Sequence, residues 1–398
     1  SGLDNMDLTE YHGRLMKCGL IRLANWDVMV ATGGQTTGRS SIDVRVLSDF
    51  FIQDKILTAW QHLCLLKGFC DFHVGNYILV RELGRGGMSQ VYLAKHIPSS
   101  RLVALKVLPP ADAVDVTAME KFFIESQTHQ DLLHPKIVRA FEYGVDGKVH
   151  FLAMEFIDGL NLEQLVQKQG PLPAKLAAKF IRQAATGLEY AHHKGLVHRD
   201  VKPANLLVDS KGVVKLSDLG VVHVAAVPSN STSDSCTDVL GTLDYLAPEQ
   251  AAHPEDVDSR ADLYSLGCTL YFLLAGHVPF RASLPAQILL MHQMNDPPPL
   301  EQERPEIPEP LVHICRKLMA KKPNQRFQSA ELLQKALDEW IEDVNNFART
   351  QALTAQGVLD DAEMTDLNSS SVIRAKSSRP FNFTLSWESP FIDFPKLD

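Results

Sequence analysis

His198-Arg-Asp-Val-Lys-Pro-Ala-Asn205, followed by Ser217-Asp-Leu-Gly220, is the stretch on which the reading of this chain turns. Asp200 can accept or orient a hydroxyl proton, and Lys202, two residues on, can neutralise a phosphoryl group in motion. Asn205 and Asp218 offer hard oxygen ligands of the kind Mg²⁺ prefers. A polar turn between a helix and a strand gives no reason for Asp, Lys and Asn at these offsets.

Upstream lie the other parts that phosphoryl transfer needs. Gly84-Arg-Gly-Gly-Met-Ser-Gln-Val91 sits between two strand-like runs, where glycines let a backbone turn sharply or approach a phosphate. By itself this fits a tight hairpin equally well. Val103-Ala-Leu-Lys106 puts one Lys in an otherwise apolar strand, which is costly unless an anion pairs with it. Glu125, in the following helical stretch, is a suitable partner, and Glu120 is an alternative.

The elements can be read around these motifs. Strands are expected at Tyr77–Leu83, Gln90–Ala94 and Leu102–Val107, then at Ile137–Tyr143 and Val149–Phe156, with a helix at Val116–Leu133 between the two groups. Beyond Asp158 the pattern is helical: Asn161–Lys168, Pro173–Lys194, Ser259–Ala275, Pro285–Met294, Pro308–Met319 and Ser329–Phe347. Residues 1–76 read as a helical N-terminal extension. Leu47, Phe50, Phe51, Ile56, Leu57 and Trp60 fall at helical spacing there, and Ala31–Arg39 forms a Gly-rich loop. Thr58-Ala-Trp-Gln61 belongs to the same apolar face, which must bury against something. Residues 348–398 read as a flexible polar tail ending in Phe381, Phe383, Trp387, Phe391 and Phe394. The fold class expected is α+β: a small antiparallel sheet lobe at 77–157, then a helical lobe at 158–347.

At 398 residues the chain is longer than one compact core usually holds. With 45% hydrophobic and 22% charged residues it has the mix of an ordinary folded protein. A net charge of −9, with no cluster of Lys and Arg, argues against nucleic acid or an anionic membrane as the main partner. The six cysteines show no CxxC spacing, which favours a reducing compartment over a disulfide scaffold or a zinc site. The longest apolar run, Tyr264–Gly276, is too short to span a bilayer and fits a buried helix. No signal peptide opens the sequence, and a cytoplasmic setting is expected.

Taken in order, these motifs resemble the signature set of the eukaryotic-type protein kinase family. The resemblance runs from about Tyr77 to Phe347 and implies the two-lobed protein-kinase-like fold, with ATP and Mg²⁺ as cofactors. It implies that Leu83, Gly84 and Gly86 cover ATP, that Lys106 holds the α- and β-phosphates, and that Glu125 anchors Lys106. Met154 resembles the gatekeeper, Glu155 and Ile157 the adenine-binding hinge, and Val91, Ala104 and Leu207 the walls of the adenine slot. Asp200 is the implied catalytic base, with Asn205 and Asp218 as Mg²⁺ ligands. Ala247-Pro-Glu249 resembles the motif that closes the activation segment, with Arg326 as ion-pair partner of Glu249. Asp262 resembles the aspartate that braces the catalytic loop. Two positions depart from the pattern: Ser89 replaces the third loop glycine, and Leu219 the usual Phe. Neither removes a charge or a ligand.

Lys202, together with Thr242 before the closing motif, resembles Ser/Thr-specific kinases, and Thr242 could bridge Asp200 and Lys202. The Gly-Gly-Met loop and Gly241–Gln250 resemble the bacterial branch. The function implied is transfer of the γ-phosphate of Mg-ATP to Ser/Thr hydroxyls of proteins. Autophosphorylation is expected between Asp218 and Glu249, at Thr237 or else Ser235, where a phosphate would pair with Arg199. A pseudokinase or scaffold would have lost Lys106, Asp200, Asn205 or Asp218, and a small-molecule kinase would lack the Thr242–Glu249 segment. Dimerisation or docking through residues 1–76 is a further expectation, beside a small helical cap that packs on the kinase or folds alone.

Overall fold

The computed structural model describes residues 7–20, 44–86, 89–109, 116–219 and 243–355, and its chain divides into two compact units. The first takes in Ser1–Leu132 and Arg139–Phe156, and the second Leu133–Val138 and Ile157–Asp398.

The first unit is built on six antiparallel strands: β1 (His73–Val74), β2 (Tyr77–Arg85), β3 (Gln90–His96), β4 (Leu102–Leu108), β5 (Ala140–Asp146) and β6 (Val149–Glu155), in the order β1-β2-β3-β4-β6-β5. Side chains alternate across a strand, so β4 presents Val103 and Leu105 to one face and Ala104 and Lys106 to the other. Val103 and Leu105 are at most 2% exposed. They share an apolar cluster with three of the described helices that precede the sheet, α1 (Leu8–Lys17), α2 (Val44–Gln53) and α3 (Ala59–Leu66). Tyr11, Leu15, Leu47, Phe51, Leu65 and Phe72 from the first 76 residues are wholly buried in that cluster, beside Leu79, Ala94 and Phe151 of the sheet. The amphipathic face of the extension is thus spent on the back of the sheet. Helix α4 (Val116–Gln130) follows β4.

Two strand positions of this sheet differ from the sequence expectation, which also named none of the three strands of the second unit. His73–Val74 makes a two-residue strand, too short for alternation to reveal. Strand β5 starts at Ala140 rather than Ile137, because Ile137 and Val138 pair with Leu216 of the second unit instead.

The second unit is helical around a three-stranded sheet, β7 (Gly159–Asn161), β8 (Leu206–Asp209) and β9 (Val214–Leu216). Among the described residues its helices are α5 (Leu162–Gln169), α6 (Ala174–His193), α7 (Pro248–Ala252), α8 (Ser259–Ala275), α9 (Pro285–Met294), α10 (Leu300–Glu303), α11 (Glu309–Leu318) and α12 (Ala330–Ala355). Every residue of α8 from Ala261 to Leu274 is buried, as a helix apolar on all sides requires, and Gly276 ends it at φ +82°. Helix α6 packs on α8, α12 and β9. Gly187 makes the last contact possible, since a Cβ there would lie 2.6 Å from Leu216 Cδ1 and 2.8 Å from the Lys136 carbonyl. Helix α12 runs on to Ala355, past the expected end at Phe347, because Ala348-Arg-Thr-Gln-Ala-Leu353 is rich in strong helix formers. No helix of the described residues is long and apolar enough to cross a membrane. The loop Ala31–Arg39, the segment with Ser229–Thr237 and Thr242, and the C-terminal aromatics lie outside the described residues.

Candidate active site

The catalytic-loop motif lies between α6 and β8, and a single buried carboxylate holds its backbone. Asp262, in the first turn of α8, is 0% exposed. Its Oδ2 accepts the His198 N–H at 2.8 Å and a hydrogen bond from His192 Nε2 at 2.8 Å, while Oδ1 accepts the Arg199 N–H at 2.7 Å. Arg199 has φ +63°, a left-handed conformation that a side chain disfavours. It is held from both ends, for Gln250 Nε2 donates to its carbonyl at 2.9 Å. His198 is buried and donates through Nε2 to the Ser217 carbonyl at 3.0 Å, and its Nδ1 accepts from the Asp200 N–H at 3.3 Å. The ring thereby ties the loop of Asp200 to the segment of Asp218.

Asp200, Lys202 and Asn205 come together on this frame. Lys202 Nζ stands 3.0 Å from Asp200 Oδ2. Asn205 Nδ2 donates to the same oxygen at 3.0 Å and to the Asp200 carbonyl at 2.8 Å. The Asn205 carbonyl in turn accepts the Ser217 N–H at 2.9 Å and the Ser217 hydroxyl at 3.2 Å. Asp218 follows at φ +51°, a second non-glycine residue in the left-handed region. Such backbone persists only where the surroundings over-determine it. Leu219 is buried at 2% exposure, and Leu207 is half-buried in β8 opposite Lys215.

The closing motif is fixed equally firmly. Glu249 and Arg326 form a forked pair at 2.5 and 2.8 Å. The guanidinium also donates to the carbonyls of Ala320, Arg260 and Lys321 and lies over the Tyr264 ring. Nearby, burial pushes the Asp244 carboxyl up to about 6, partly offset by Arg281.

In the first unit, Lys106 Nζ meets Glu125 Oε1 at 2.6 Å, with side chains 11% and 14% exposed. Glu125, not Glu120, is therefore the carboxylate paired with the strand lysine. Val91 lies opposite Lys106 across β3 and β4, and Ala104 opposite Met154 across β4 and β6, so all four occupy one face. Leu83 and Gly84 lie near the end of β2, with Gly84 opposite Val91, and the Gly86 N–H donates to the Ser89 carbonyl at 2.8 Å. The Glu155 N–H donates to the Arg139 carbonyl at 2.8 Å, and Ile157 opens the second unit. The sequence reading missed His192 and Gln250. Their partners lie 70 and 51 residues away, and no local pattern marks such contacts.

Comparison with known proteins agrees with this geometry. The protein kinase domain family matches residues 77–337. Serine/threonine-protein kinase PknB of Mycolicibacterium smegmatis is 36% identical over 296 residues, which cover 73% of this chain and 46% of PknB. Serine/threonine-protein kinase PrkC of Bacillus subtilis is 35% identical over 257 residues, covering 65% of this chain and 39% of PrkC. The chain spans about half the length, or less, of these curated relatives. The crystal structure of the Mycobacterium tuberculosis PknI kinase domain superposes with a TM-score of 0.53 at 32% identity, covering 67% of this chain and 95% of that one. With an antiparallel sheet lobe, a helical lobe and a family match over most of its described length, the chain belongs to the protein kinase family.

Proposed function

We propose that this protein transfers the γ-phosphate of Mg-ATP to Ser and Thr hydroxyls of proteins. The observation that carries the proposal is the grouping of Asp200, Lys202 and Asn205 on a loop whose backbone is clamped by Asp262. Phosphoryl transfer needs positioning and charge neutralisation rather than covalent help. Among the described residues, both contacts to the Asp200 carboxylate fall on Oδ2, and Oδ1 is the oxygen assigned to orient a substrate hydroxyl. Lys202 lies beside it to offset charge on the moving phosphoryl group. Asn205 turns its amide nitrogen onto Asp200, which leaves its oxygen as a ligand atom. That oxygen and the Asp218 carboxylate form a hard donor set that suits Mg²⁺. Bound there, Mg²⁺ would neutralise phosphate charge. In the first unit Lys106, oriented by Glu125, holds the α- and β-phosphates, and Leu83, Gly84 and Gly86 cover them. Val91, Ala104, Met154 and Glu155 of the same unit are assigned to the adenine.

Autophosphorylation between Asp218 and Glu249 belongs to the same reading, supported by Ser229, Ser231, Thr232, Ser233, Ser235 and Thr237 in that segment. Thr242 would bridge Asp200 and Lys202 as the Ser/Thr-selecting hydroxyl. A cytoplasmic, reducing setting fits the free thiols of Cys18, Cys64, Cys70, Cys268 and Cys315. Among the described residues of 1–76, the apolar helix faces are buried in their own unit, and the positions offered for docking are exposed ones such as Leu63 and Phe69.

The test is incubation with Mg-ATP and a generic acceptor protein, followed by phosphosite mass spectrometry. Phosphoserine and phosphothreonine on the acceptor, and on Thr237 or Ser235 of the chain itself, are expected. Phosphotyrosine alone, or no transfer, would overturn the proposal.

A further inference from the structure

Helix α3 is joined to β2 at the point where that strand prepares to enter the Gly-rich hairpin. Strand β2 pairs Leu79 with Ala94 and Arg81 with Leu93, so Val80 is skipped and forms a bulge. The carbonyls of Leu79 and Val80, consecutive residues, are both taken by α3. Gln61 Nε2 donates to Leu79 O at 2.7 Å, and Thr58 Oγ1 donates to Val80 O at 2.6 Å. The same two side chains close the capping box of α3. Thr58 Oγ1 accepts the Gln61 N–H at 3.1 Å, and Gln61 Oε1 accepts the Thr58 N–H at 2.8 Å. Thus one pair of residues both starts the helix and holds the bulge, and Gln61 does so at 4% exposure.

The surroundings leave little freedom. The Leu79 N–H donates to the Phe72 carbonyl at 2.8 Å, so both backbone groups of Leu79 are bound to the extension. Trp60, between the two latch residues, packs edge-on against Phe72 and at a tilt against Tyr92 of β3, at ring distances of 5.8 and 5.7 Å. Tyr92 lies opposite Glu82, and Gly84 is two residues further along β2. Both strands of the Gly-rich hairpin are therefore anchored by α3 just before the phosphate loop.

We propose that Thr58 and Gln61 are positioning residues for nucleotide binding: through the bulge at Val80 they set the course of the hairpin over ATP. The extension is then a working part of the nucleotide site rather than a separable module. The inference rests on the kinase reading, but its test can be separated from it. Mg-ADP binding, measured by calorimetry, reads affinity without turnover.

The variants are Thr58→Val, which keeps side-chain volume and removes the hydroxyl, and Thr58→Val combined with Gln61→Met. Loss of one or two hydrogen bonds that orient the hairpin, the first part-buried and the second buried, is expected to weaken Mg-ADP about threefold in the single variant and about tenfold in the double. KM for ATP should rise in parallel, with kcat at saturating ATP within about twofold of wild type. Amide exchange should quicken at Glu82–Gly86. Thr58→Ser, which retains the hydroxyl, should restore wild-type affinity. Wild-type nucleotide affinity in folded Thr58→Val would overturn the inference, and the single variant decides the matter if the double does not fold. A fall in kcat with KM unmoved would overturn it too. Absence of phosphotransfer in the wild type, with Mg-ADP affinity still responding to Thr58→Val, would count against the catalytic reading and leave the latch standing.

Discussion

Replacing Asp262 with Asn tests whether one buried carboxylate holds the catalytic loop. The native side chain is fully buried and accepts three donors: two backbone N–H groups at 2.7 and 2.8 Å, and His192 Nε2 at 2.8 Å. An amide keeps one acceptor oxygen and turns a donor toward the other site. With the oxygen in the Oδ2 position it keeps His198 and His192, and the Arg199 N–H then faces an NH₂ group. That loses one charge-assisted hydrogen bond, about 1.5–3 kcal/mol, and reduces the other two to neutral strength. A total of about 2–4 kcal/mol follows. The lost bond is one of those that hold Arg199 at φ +63°, a conformation that costs about 1–2 kcal/mol to keep. The backbone can then relax one residue before Asp200. Displacement on the ångström scale lowers turnover by about 10²-fold. Urea denaturation should show the stability loss, and steady-state phosphotransfer should show kcat falling at least about tenfold with KM for ATP little changed. A variant with wild-type kcat and an unchanged urea midpoint would refute the role given to Asp262.

Three further outcomes are expected. His292 is buried, accepts the Tyr264 hydroxyl through Nδ1, and is held down at about 3 by burial and then by Lys321. Its neutral form is the one the fold keeps, so its stabilising effect is present above the unfolded value near 6.5 and declines as pH falls toward 3. Between pH 6.5 and 4.5 the loss is about 2 kcal/mol, and His292→Phe should flatten the measured stability–pH profile by about that amount. Arg326→Lys, which cannot fork onto Glu249, should cost about 3 kcal/mol by chemical denaturation. Gly187→Ala would press a Cβ against Leu216 and the Lys136 carbonyl, so about 1–3 kcal/mol should be lost, with a lower melting temperature.

Much of the molecule is legible in the sequence because its signals are local. The helices Ser259–Ala275 and Pro285–Met294 have the ends that Asp258, Gly276 and Pro285 mark, and β2, β3 and β4 follow from β-branched runs between turns. The grouping of Asp200, Lys202 and Asn205 is written within six residues, whereas the hold of Asp262 on their backbone spans more than sixty. Spacing could not choose between Glu120 and Glu125, because the direction of α4 decides which carboxylate faces the strand lysine. Thr58-Ala-Trp-Gln61 carries the S/T-x-x-E/Q pattern of a helix start, but its outward bonds to Leu79 and Val80 depend on a bulge that no periodicity announces. Likewise the apolar face of the extension was evident, while its partner, the back of β3 and β4, emerges only from the fold.

The most direct test of the catalytic assignment is single-turnover phosphoryl transfer by wild type and by Asp200→Asn, with ATP affinity measured on both. Asn keeps the shape of the side chain and its contacts with Lys202 and Asn205 are polar, so folding and nucleotide binding should survive. The substrate hydroxyl loses the carboxylate that orients it, and the rate should fall by about 10²-fold or more. Transfer by Asp200→Asn at a near-wild-type rate, with ATP bound equally well, would contradict the role of Asp200 and the proposed site with it.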